Sequence, residues 1–304
     1  MSKIIKIATR NSHLALWQAE LIKKKIINFY PNFKIKIIPI ITKGDIIINK
    51  SLKKIGGKNL FGNELEKSLK NKKTDIAVHS MKDISNIFSK EFGLTIICDR
   101  EDPRDILVSN KYNSLNNLPY GSIVGTSSLR RKCQLLIKRP DLKILNIRGN
   151  INTRIKKLNN NEYDAIILSI AGLKRLGYNN YLRSPLNIKD FIPAAGQGAI
   201  GVEYRLNDIK ILNILKSLFN YKINSCILTE RIFNNILNYG CHAPIGSYAK
   251  IIKKKIWLRI FISSSNGKNY INDEYFGNIK DFKIIGYKLA KKIINSNIYK
   301  FLKK

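Results

Sequence analysis

The feature that most limits the possible folds is a regular alternation of short apolar runs with longer amphipathic stretches. Residues 4–8, 34–41 and 75–79 have the composition of buried strands. Between the first two of these strands, residues 13–28 have helical spacing, and Ser12 is placed to cap that helix. Strands that alternate with helices predict mainly parallel sheets built from βαβ units.

The same layout recurs in a second block, after the polar turn at 100–105. Its predicted strands are 122–124, 143–147 and 164–169. Pro193 and three glycines make 191–201 a predicted crossing segment between blocks. Beyond residue 220 the pattern changes to a smaller α+β unit, with a helix near 227–237, a strand near 256–263 and a helix from 280 to about 295.

The charge of the chain suggests an anionic partner but does not say which one. The net charge is +34, from 55 Lys and Arg against 21 Asp and Glu in 304 residues, which is typical of nucleic-acid or membrane-surface binding. The lysines are dispersed among Ile and Asn throughout, as a compositional background would be. Six of the 13 arginines instead fall within 130–175. Because guanidinium groups bind carboxylates or phosphates with paired hydrogen bonds, this cluster indicates a specific polyanion, and the missing basic-aromatic stripe weakens the nucleic-acid alternative.

Several other classes of protein are disfavoured by the sequence. No run approaches the roughly 18 apolar residues of a membrane span, and we expect no membrane association. The first residues lack a secretory pattern, and the cysteines are too scattered for a disulfide framework, so we expect a cytoplasmic protein. The three histidines are also scattered, so we expect no metal. Self-repulsion at this charge favours a monomer.

Polar residues with chemical potential gather where predicted strands end, which is where open α/β sheets bind ligands. Gly125, followed by Thr126, Ser127 and Ser128 at a helix start, offers backbone N–H groups and hydroxyls to an anion. Arg130 and Arg131 add two guanidinium groups in the first turn. A plain serine N-cap with solvent-facing arginines is the alternative.

Two further residues have reactive groups in turns. Asp83 follows a strand beside Lys82 and can stabilise a cationic intermediate or transfer protons, although an ordinary turn aspartate is the alternative. Cys241 lies in a tight Gly-Cys turn and suits covalent attachment or nucleophilic work. The other cysteines, in or beside apolar segments, are expected to be inert: Cys98, Cys133 and Cys226.

Six segments together resemble the hydroxymethylbilane synthases, also called porphobilinogen deaminases. They are IATRNSHLALWQA (7–19), DIAVHSMKD (75–83), GTSSLRR (125–131), RGN (148–150), PAAGQG (193–198) and GCHAPIG (240–246). The resemblance implies a transferase that condenses four porphobilinogen molecules head to tail, with release of ammonia, to give hydroxymethylbilane. It also implies a dipyrromethane cofactor, held by a thioether to Cys241, that primes the chain. The product then passes to uroporphyrinogen III synthase.

The same resemblance assigns roles to residues at matching positions. Asp83 is the implied catalytic residue, stabilising the azafulvene formed when substrate loses ammonia. The residues implied to bind the cofactor, besides Cys241, are Ser12, Lys82, Thr126, Ser128, Arg130, Arg131 and Arg148. Those implied to bind substrate are Arg10, Arg154, Arg175 and Gln197. Lys54, Lys58 and Phe61 are implied to lie on a lid loop.

The resemblance also implies a domain arrangement. Two similar α/β domains, like those of periplasmic binding proteins, would face a cleft: residues 1–99 with 200–217, and 100–199. A smaller α+β domain at 218–304 would carry the cysteine. The sequence departs from the family pattern at Asn59, Asn63, Ser85 and Tyr239. A non-enzymatic anion- or nucleic-acid-binding protein is the alternative function.

Overall fold

The structure is a computed structural model that describes residues 3–46, 62–85, 90–237, 243–296 and 299. In chain order its strands are β1 (Lys3–Arg10), β2 (Phe33–Ile40), β3 (Ile76–Ser80), β4 (Phe92–Thr95), β5 (Asp105–Val108), β6 (Ile123–Gly125), β7 (Lys143–Leu145), β8 (Ala165–Ser169), β9 (Ser184–Pro185), β10 (Ile200–Arg205), β11 (Ile245–Ile252), β12 (Lys255–Ser263) and β13 (Tyr270–Asn278). Its α-helices are α1 (His13–Phe29), α2 (Lys43–Ile46), α3 (Asn63–Lys70), α4 (Leu129–Lys138), α5 (Ile151–Asn159), α6 (Ile170–Arg175), α7 (Ile209–Ser217), α8 (Tyr221–Leu237) and α9 (Phe282–Ile294). Single 3-10 turns lie at Met81–Asp83, Asn179–Tyr181 and Ile279–Asp281.

The first two sheets have the same topology. Their strand orders are β2-β1-β3-β10-β4 and β7-β6-β8-β5-β9. Each sheet begins with three parallel strands, of which the first in the chain lies between the second and the third. An antiparallel strand follows them, β10 in one sheet and β5 in the other, and then an edge strand. The predicted fold class, two similar α/β parts followed by a smaller α+β part, is confirmed.

The predicted parallel arrangement holds for four strands of each five-stranded sheet and fails for one. β5 and β10 run antiparallel to both of their neighbours. Each of them begins after the chain leaves the other sheet, β5 at Asp105 and β10 at Ile200. A strand that enters from outside the βαβ series is free of the crossover that imposes parallel pairing. The apolar run alone does not reveal this direction.

Helix α1 forms where the sequence predicts it, but with a different buried face. Ser12 caps it by accepting a hydrogen bond from the Ala15 N–H at 3.4 Å. The side chains that α1 buries against the sheet are Gln18, Ala19, Ile22 and Ile26. Of the four residues that the sequence offers for an apolar face, Ile22 is buried, whereas Leu14, Ala15 and Leu21 are only half-buried. The helix is therefore rotated so that Gln18, a polar residue, points inward.

The third sheet, β11-β12-β13, is an antiparallel meander covered by α8 and α9. Alternate residues of β12, such as Ile256 and Leu258, are buried against these helices. Gly286 allows close packing of α9 on α8, because a Cβ there would lie 2.5 Å from the Thr229 carbonyl oxygen. The helices predicted at 227–237 and 280–295 are present, the first beginning earlier at Tyr221 and the second after a 3-10 turn.

The described chain divides into two compact units, Met1–Glu101 with Ala199–Asn224, and Asp102–Gly198 with Ser225–Lys304. The predicted three-domain boundaries and the cleft stay predictions. None of the helices in the described part of the chain is both long and apolar enough to span a bilayer.

Candidate active site

The carboxyl ends of β1, β2 and β3 meet at one edge of the first sheet. β1 and β2 are paired in parallel with Arg10 opposite Ile40, and β3 ends at Ser80. The antiparallel β10 starts at Ile200, opposite Ser80, so its first residues lie at the same edge. The predicted residues at or just beyond these ends are Arg10, Ser12, Lys82 and Asp83.

A cavity of about 60 Å³ lies at this edge. It has room for several water molecules or a small polar group, since one water needs roughly 10–15 Å³. Three of the predicted site residues line it together: Arg10, Ser12 and Asp83. The structure adds polar lining residues that sequence reasoning missed: Gln18, Glu66, His79, Ser80 and Glu203.

Asp83 is held in place by its backbone while its carboxylate stays available. It ends the 3-10 turn Met81–Asp83 and is exposed. Met81 is 1% exposed, and its N–H donates to the Ala199 carbonyl at 3.1 Å, which anchors the turn. Across the described ranges the Asp83 carboxylate has no hydrogen bond or ion pair. It can therefore accept hydrogen bonds from a ligand. Lys82, beside it, is half-buried and has contacts of its own.

The residue pair Gln18 and Ser80 braces the strand end that leads to Asp83. The Gln18 Nε2 lies 2.9 Å from the Ser80 Oγ, and the Ser80 Oγ lies 3.2 Å from the Gln18 Oε1. Gln18 is 1% exposed, so its amide is shielded from bulk solvent and the hydrogen bonds to Ser80 restrict its orientation. This pair ties α1 to the end of β3 and limits the movement of the following turn.

Arg10 is predicted to bind substrate carboxylates, and in this structure it binds the carboxylate of Asp45. The Arg10 Nη2 donates to one Asp45 oxygen and the Nε donates to the other at 3.3 Å. Burial by itself raises the pKa of Asp45, but the hydrogen bonds from Arg10 and Thr42 outweigh it and the pKa is lowered. Asp45 therefore holds Arg10 at the cavity, and a bound carboxylate would share or replace this contact.

The predicted anion loop at the end of β6 uses its hydroxyls to shape the backbone. The Thr126 N–H donates to the Leu145 carbonyl at 2.9 Å, which joins the ends of β6 and β7. The Thr126 Oγ1 accepts from the Ser128 N–H at 3.2 Å, and the Ser128 Oγ accepts from the Arg131 N–H at 3.4 Å. Ser128 is thus the N-cap of α4, as the alternative to an anion-binding loop predicts. A capping hydroxyl retains acceptor and donor capacity for a ligand.

Arg130 and Arg131 converge on one buried carboxylate, that of Asp105. Arg130 donates from Nη1 to Asp105 Oδ2 at 2.7 Å, and Arg131 donates from Nη2 to Asp105 Oδ1 at 2.7 Å. Their Nη1 atoms also donate to the carbonyls of Ile192 and Ile167. The alternative, that these arginines face solvent, is wrong, because Arg130 is 4% and Arg131 6% exposed. Two buried cations and one buried anion leave the cluster one positive charge in excess.

The Asp105 carboxyl should make stability depend on acid pH. Burial by itself raises the pKa of Asp105, but the charges of Arg130 and Arg131 outweigh it and hold the pKa well below its usual range. Its contribution to stability is therefore present above the unfolded pKa of about 4 and lost as pH falls below it. We expect the free energy of unfolding, measured in urea, to decrease between about pH 5 and pH 2. An Asp105→Asn variant with the same pH slope as the unmodified protein would contradict this assignment.

The crossing segment is bound to this cluster by Gln197 and to helix α6 by Arg175. The Gln197 Nε2 donates to Asp105 Oδ1 at 2.9 Å and to the Pro103 carbonyl at 2.7 Å. The Arg175 Nη2 donates to the Gly198 carbonyl at 2.6 Å. Both side chains are buried, so their observed bonds fix the segment at 197–198 before β10 begins. The predicted substrate-binding residues Gln197 and Arg175 thus lie close in this unit.

Arg148 and Arg154 flank a glycine turn at the start of α5. Gly149 has φ +104°, and a Cβ there would lie 2.7 Å from the Thr153 side chain, so glycine is required. Asn150 caps α5 by accepting from the Thr153 N–H at 3.0 Å, and the Arg154 Nε donates to the Gly149 carbonyl at 2.9 Å. Both arginines are half-buried and keep part of their surface in solvent.

Four of the predicted residues lie outside the described residues. They are Lys54, Lys58, Phe61 and Cys241. In the described ranges no group of three His, Cys, Asp or Glu side chains could hold a metal ion.

Asp105 and Glu203 are two buried carboxylates that sequence reasoning missed. Asp105 was placed in a polar turn, yet it opens the apolar run of β5. Glu203 lies inside the apolar strand β10 and is 2% exposed. An ionisable residue within or directly before a buried strand needs a charged or hydrogen-bonding partner, and that signal was present in the sequence.

The structure defines an α/β protein with two sheets of the same topology and charged side chains at the strand ends of each. Comparison with known families gives the identity. The porphobilinogen deaminase model described as the dipyromethane cofactor binding domain matches residues 5–213, and the model of the C-terminal domain matches residues 224–295. The chain belongs to the porphobilinogen deaminase family, the enzymes of tetrapyrrole synthesis that carry a dipyrromethane cofactor. The resemblance predicted from the motifs is confirmed.

Three of the solved structures that match this chain are distant in sequence. A periplasmic substrate-binding protein of an ABC transporter from Coxiella burnetii is 14% identical, with 70% of this chain and 91% of that chain covered and a TM-score of 0.45. A putative methionine-binding lipoprotein from Bacillus subtilis is 14% identical, with 73% and 92% covered and a TM-score of 0.44. A periplasmic domain of BvgS from Bordetella pertussis is 14% identical, with 71% and 86% covered and a TM-score of 0.42. At these scores the likeness adds nothing to the conclusion.

Proposed function

We propose that this chain is the transferase that joins four porphobilinogen molecules head to tail, releases ammonia at each addition, and frees hydroxymethylbilane by hydrolysis. Asp83 is the catalytic residue in this proposal. The observation that carries it is the cavity in which the Asp83 carboxylate, with no bond to the rest of the described chain, lies together with Arg10 and Ser12. Nothing in the structure favours nucleic-acid binding over this reaction.

The residues present fit a cofactor that carries several carboxylates. The cluster of Arg130, Arg131 and Asp105 has one excess positive charge in a buried site, which is unfavourable unless an anion is near. Within the described part of the chain the Nε and Nη2 of Arg130 make no hydrogen bond, so they can donate to a ligand carboxylate. The other residues that would hold the cofactor are Ser12, Lys82, Thr126, Ser128 and Arg148. When bound, dipyrromethane supplies the primer to which the first substrate is joined.

Asp83 acts on the charge that develops when the amino group leaves. Loss of ammonia leaves positive charge on the pyrrole of the substrate, and a carboxylate nearby lowers the energy of that state. Asp83 Oδ1 or Oδ2 accepts a hydrogen bond from the pyrrole N–H, so the carboxylate also orients the ring. Gln18 and Ser80 keep the end of β3 rigid and thereby position Asp83.

The acetate and propionate groups of substrate bind to cations and an amide. In this proposal Arg10, Arg154 and Arg175 donate to these groups. Gln197 joins them by exchanging one of its present bonds, to Asp105 or to the Pro103 carbonyl. Arg154 suits this role because it is half-buried and its Nε bond to Gly149 fixes its direction. Arg10 exchanges part of its contact with Asp45 for a substrate carboxylate. Lys54, Lys58 and Phe61 belong to the lid loop in this proposal.

Cys241 is the proposed attachment point of the cofactor. The other three cysteines support this assignment because they are poorly placed to form a covalent bond with it. Cys98, Cys133 and Cys226 are all buried, at 5%, 0% and 5% exposure. Burial also raises the pKa of the Cys133 thiol, which makes it a poor nucleophile. A thioether resists hydrolysis over many turnovers, which explains a cysteine rather than a serine at this position.

Intact-mass measurement tests the attachment. We expect the purified protein to carry an adduct of dipyrromethane mass and to react with Ehrlich's reagent, because the primer is covalently bound. Cys241→Ala should lack both the adduct and activity, while the control Cys226→Ala keeps both. Activity in a protein of unmodified mass would contradict the proposal.

The surroundings of the enzyme follow from the same reaction. We propose that it works as a monomer in the cytoplasm and that its product passes to uroporphyrinogen III synthase. A net charge of +34 opposes self-association through mutual repulsion, and this supports the monomer. Analytical ultracentrifugation at physiological salt would measure the oligomeric state directly.

A further inference from the structure

The cavity beside Asp83 contains a hydrogen-bonded pair, His79 and Glu203, which the proposed reaction does not yet use. β10 lies between β3 and β4, so Glu203 enters the cavity from the middle of the sheet. His79 and Glu203 have side-chain exposures of 9% and 3%. Gly201 lies opposite His79 on the paired strand, and a Cβ there would lie 2.5 Å from the Met81 sulfur, so glycine is required at this position.

The hydrogen bond within this pair fixes the imidazole. His79 Nε2 lies 2.9 Å from Glu203 Oε2. A carboxylate can only accept, so Nε2–H is the donor, and in the neutral ring Nδ1 then carries a lone pair. Throughout the described residues His79 Nδ1 has no hydrogen-bond partner. In its neutral form the imidazole therefore offers Nδ1 to the cavity as a hydrogen-bond acceptor, because the buried Glu203 carboxylate keeps the proton on Nε2.

The remaining charges around the cavity favour a cationic ligand. Its lining includes the carboxylic residues Asp83 and Glu203, whereas Arg10 is engaged by Asp45. Glu203 Oε1 is buried and has no hydrogen-bond partner among the described residues, so this carboxylate is not fully compensated. Several acceptors and surplus negative charge around a small space suit a compact cation that donates hydrogen bonds.

We propose that this cavity is a binding site for a primary ammonium group, in which His79 Nδ1 accepts a hydrogen bond from the ammonium and Glu203 supplies the compensating charge. Given the proposed function, on which this assignment of the ligand rests, the group is the aminomethyl of porphobilinogen and then the ammonium that is released. His79 contacts the ligand, and Glu203 is a positioning residue that acts through it.

Histidine NMR with ammonium chloride tests the site without any turnover. The chain has only three histidines, so the ¹⁵N signals of His79 in the holoenzyme can be assigned with a His79→Gln variant. We expect the neutral Nε2–H tautomer and a saturable shift of the Nδ1 signal on adding ammonium chloride. Potassium chloride should not produce it, because K⁺ has similar size and charge but donates no hydrogen bond. Equal responses to both salts, or no response to either, would overturn the proposal.

Variants of Glu203 test the positioning role. Glu203→Gln removes the charge, and an amide can donate to Nε2 as well as accept from it, so it no longer sets the tautomer. We expect a weaker response to ammonium and a KM for porphobilinogen raised about 10-fold or more, the loss typical of a hydrogen bond to a charged group. The covalent adduct should remain. Unchanged ammonium response and KM would exclude Glu203 from this role.

Glu91→Gln is the matched control, because Glu91 is an exposed carboxylate of the same unit that accepts from the Lys70 Nζ at 3.0 Å and does not line the cavity. It should behave like the unmodified protein in both measurements. If the unmodified protein carries no adduct and consumes no porphobilinogen, the proposed function fails. The NMR response to ammonium would still test the ammonium site independently of that function.

Discussion

Asp83→Asn should lower kcat for porphobilinogen consumption by about 10²–10⁴-fold, the range typical of a positioned acid–base or charge-stabilising group. Asparagine has nearly the same shape but no charge, so it keeps the turn and loses the stabilisation of a positive pyrrole. Met81 and its bond to Ala199 anchor the backbone independently of the carboxylate. The variant should therefore fold normally and still carry the covalent adduct, as intact mass will report.

Asp99→Asn is the control for this experiment. Asp99 is exposed in the same unit and accepts a hydrogen bond from the Asn220 Nδ2 at 3.2 Å, which an asparagine oxygen can also accept. Its kcat should be unchanged. If Asp83→Asn retains kcat within about threefold of the unmodified enzyme, Asp83 does not stabilise the transition state.

Asp105→Asn should destabilise the fold by about 3–5 kcal/mol, because it leaves two buried arginines without their counter-ion. Asp105 is 0% exposed and accepts charged hydrogen bonds from Arg130 and Arg131, so no water can replace it. Gln197 would also lose the charge on its acceptor. The measurement is urea unfolding at neutral pH, followed by circular dichroism.

Two further variants keep this prediction sharp. Asp190→Asn removes an exposed ion pair, in which Asp190 lies 3.9 Å from Lys138 on α4, the helix that also carries Arg130 and Arg131. It should change stability by less than about 0.5 kcal/mol, as exposed pairs usually do. Adding Arg131→Gln to Asp105→Asn removes one uncompensated cation and should restore part of the loss. Equal effects of Asp105→Asn and Asp190→Asn would show that the buried cluster is not electrostatically coupled.

Much of the site was predictable because it depends on local chemistry. Ser12, Ser128 and Asn150 each precede a helix, and each caps it by accepting a backbone N–H bond. Strand ends can be located from where apolar runs stop, and parallel strands bring those ends to one edge. The positions of Arg10 and Asp83 on the cavity follow from this rule alone.

Other features depend on pairings that no local pattern contains. The solvent-facing alternative for Arg130 and Arg131 was wrong because their partner, Asp105, lies 25 and 26 residues away. Its position follows from β5 being antiparallel, which brings Asp105 opposite Ser169 at the end of β8. Strand direction is a property of the whole sheet, so the sequence around Asp105 reads only as a polar turn.

By itself, the sequence determined the βαβ layout, the helix caps, the strand-end positions of the polar residues and the family, because each depends on a short contiguous segment. Only the tertiary structure decided which charges meet. His79 and Glu203 are 124 residues apart, and Arg10 and Asp45 are 35 residues apart. Burial makes such pairings decisive, since a charge removed from water needs a partner, and the order of strands in the sheet selects which partner is within reach.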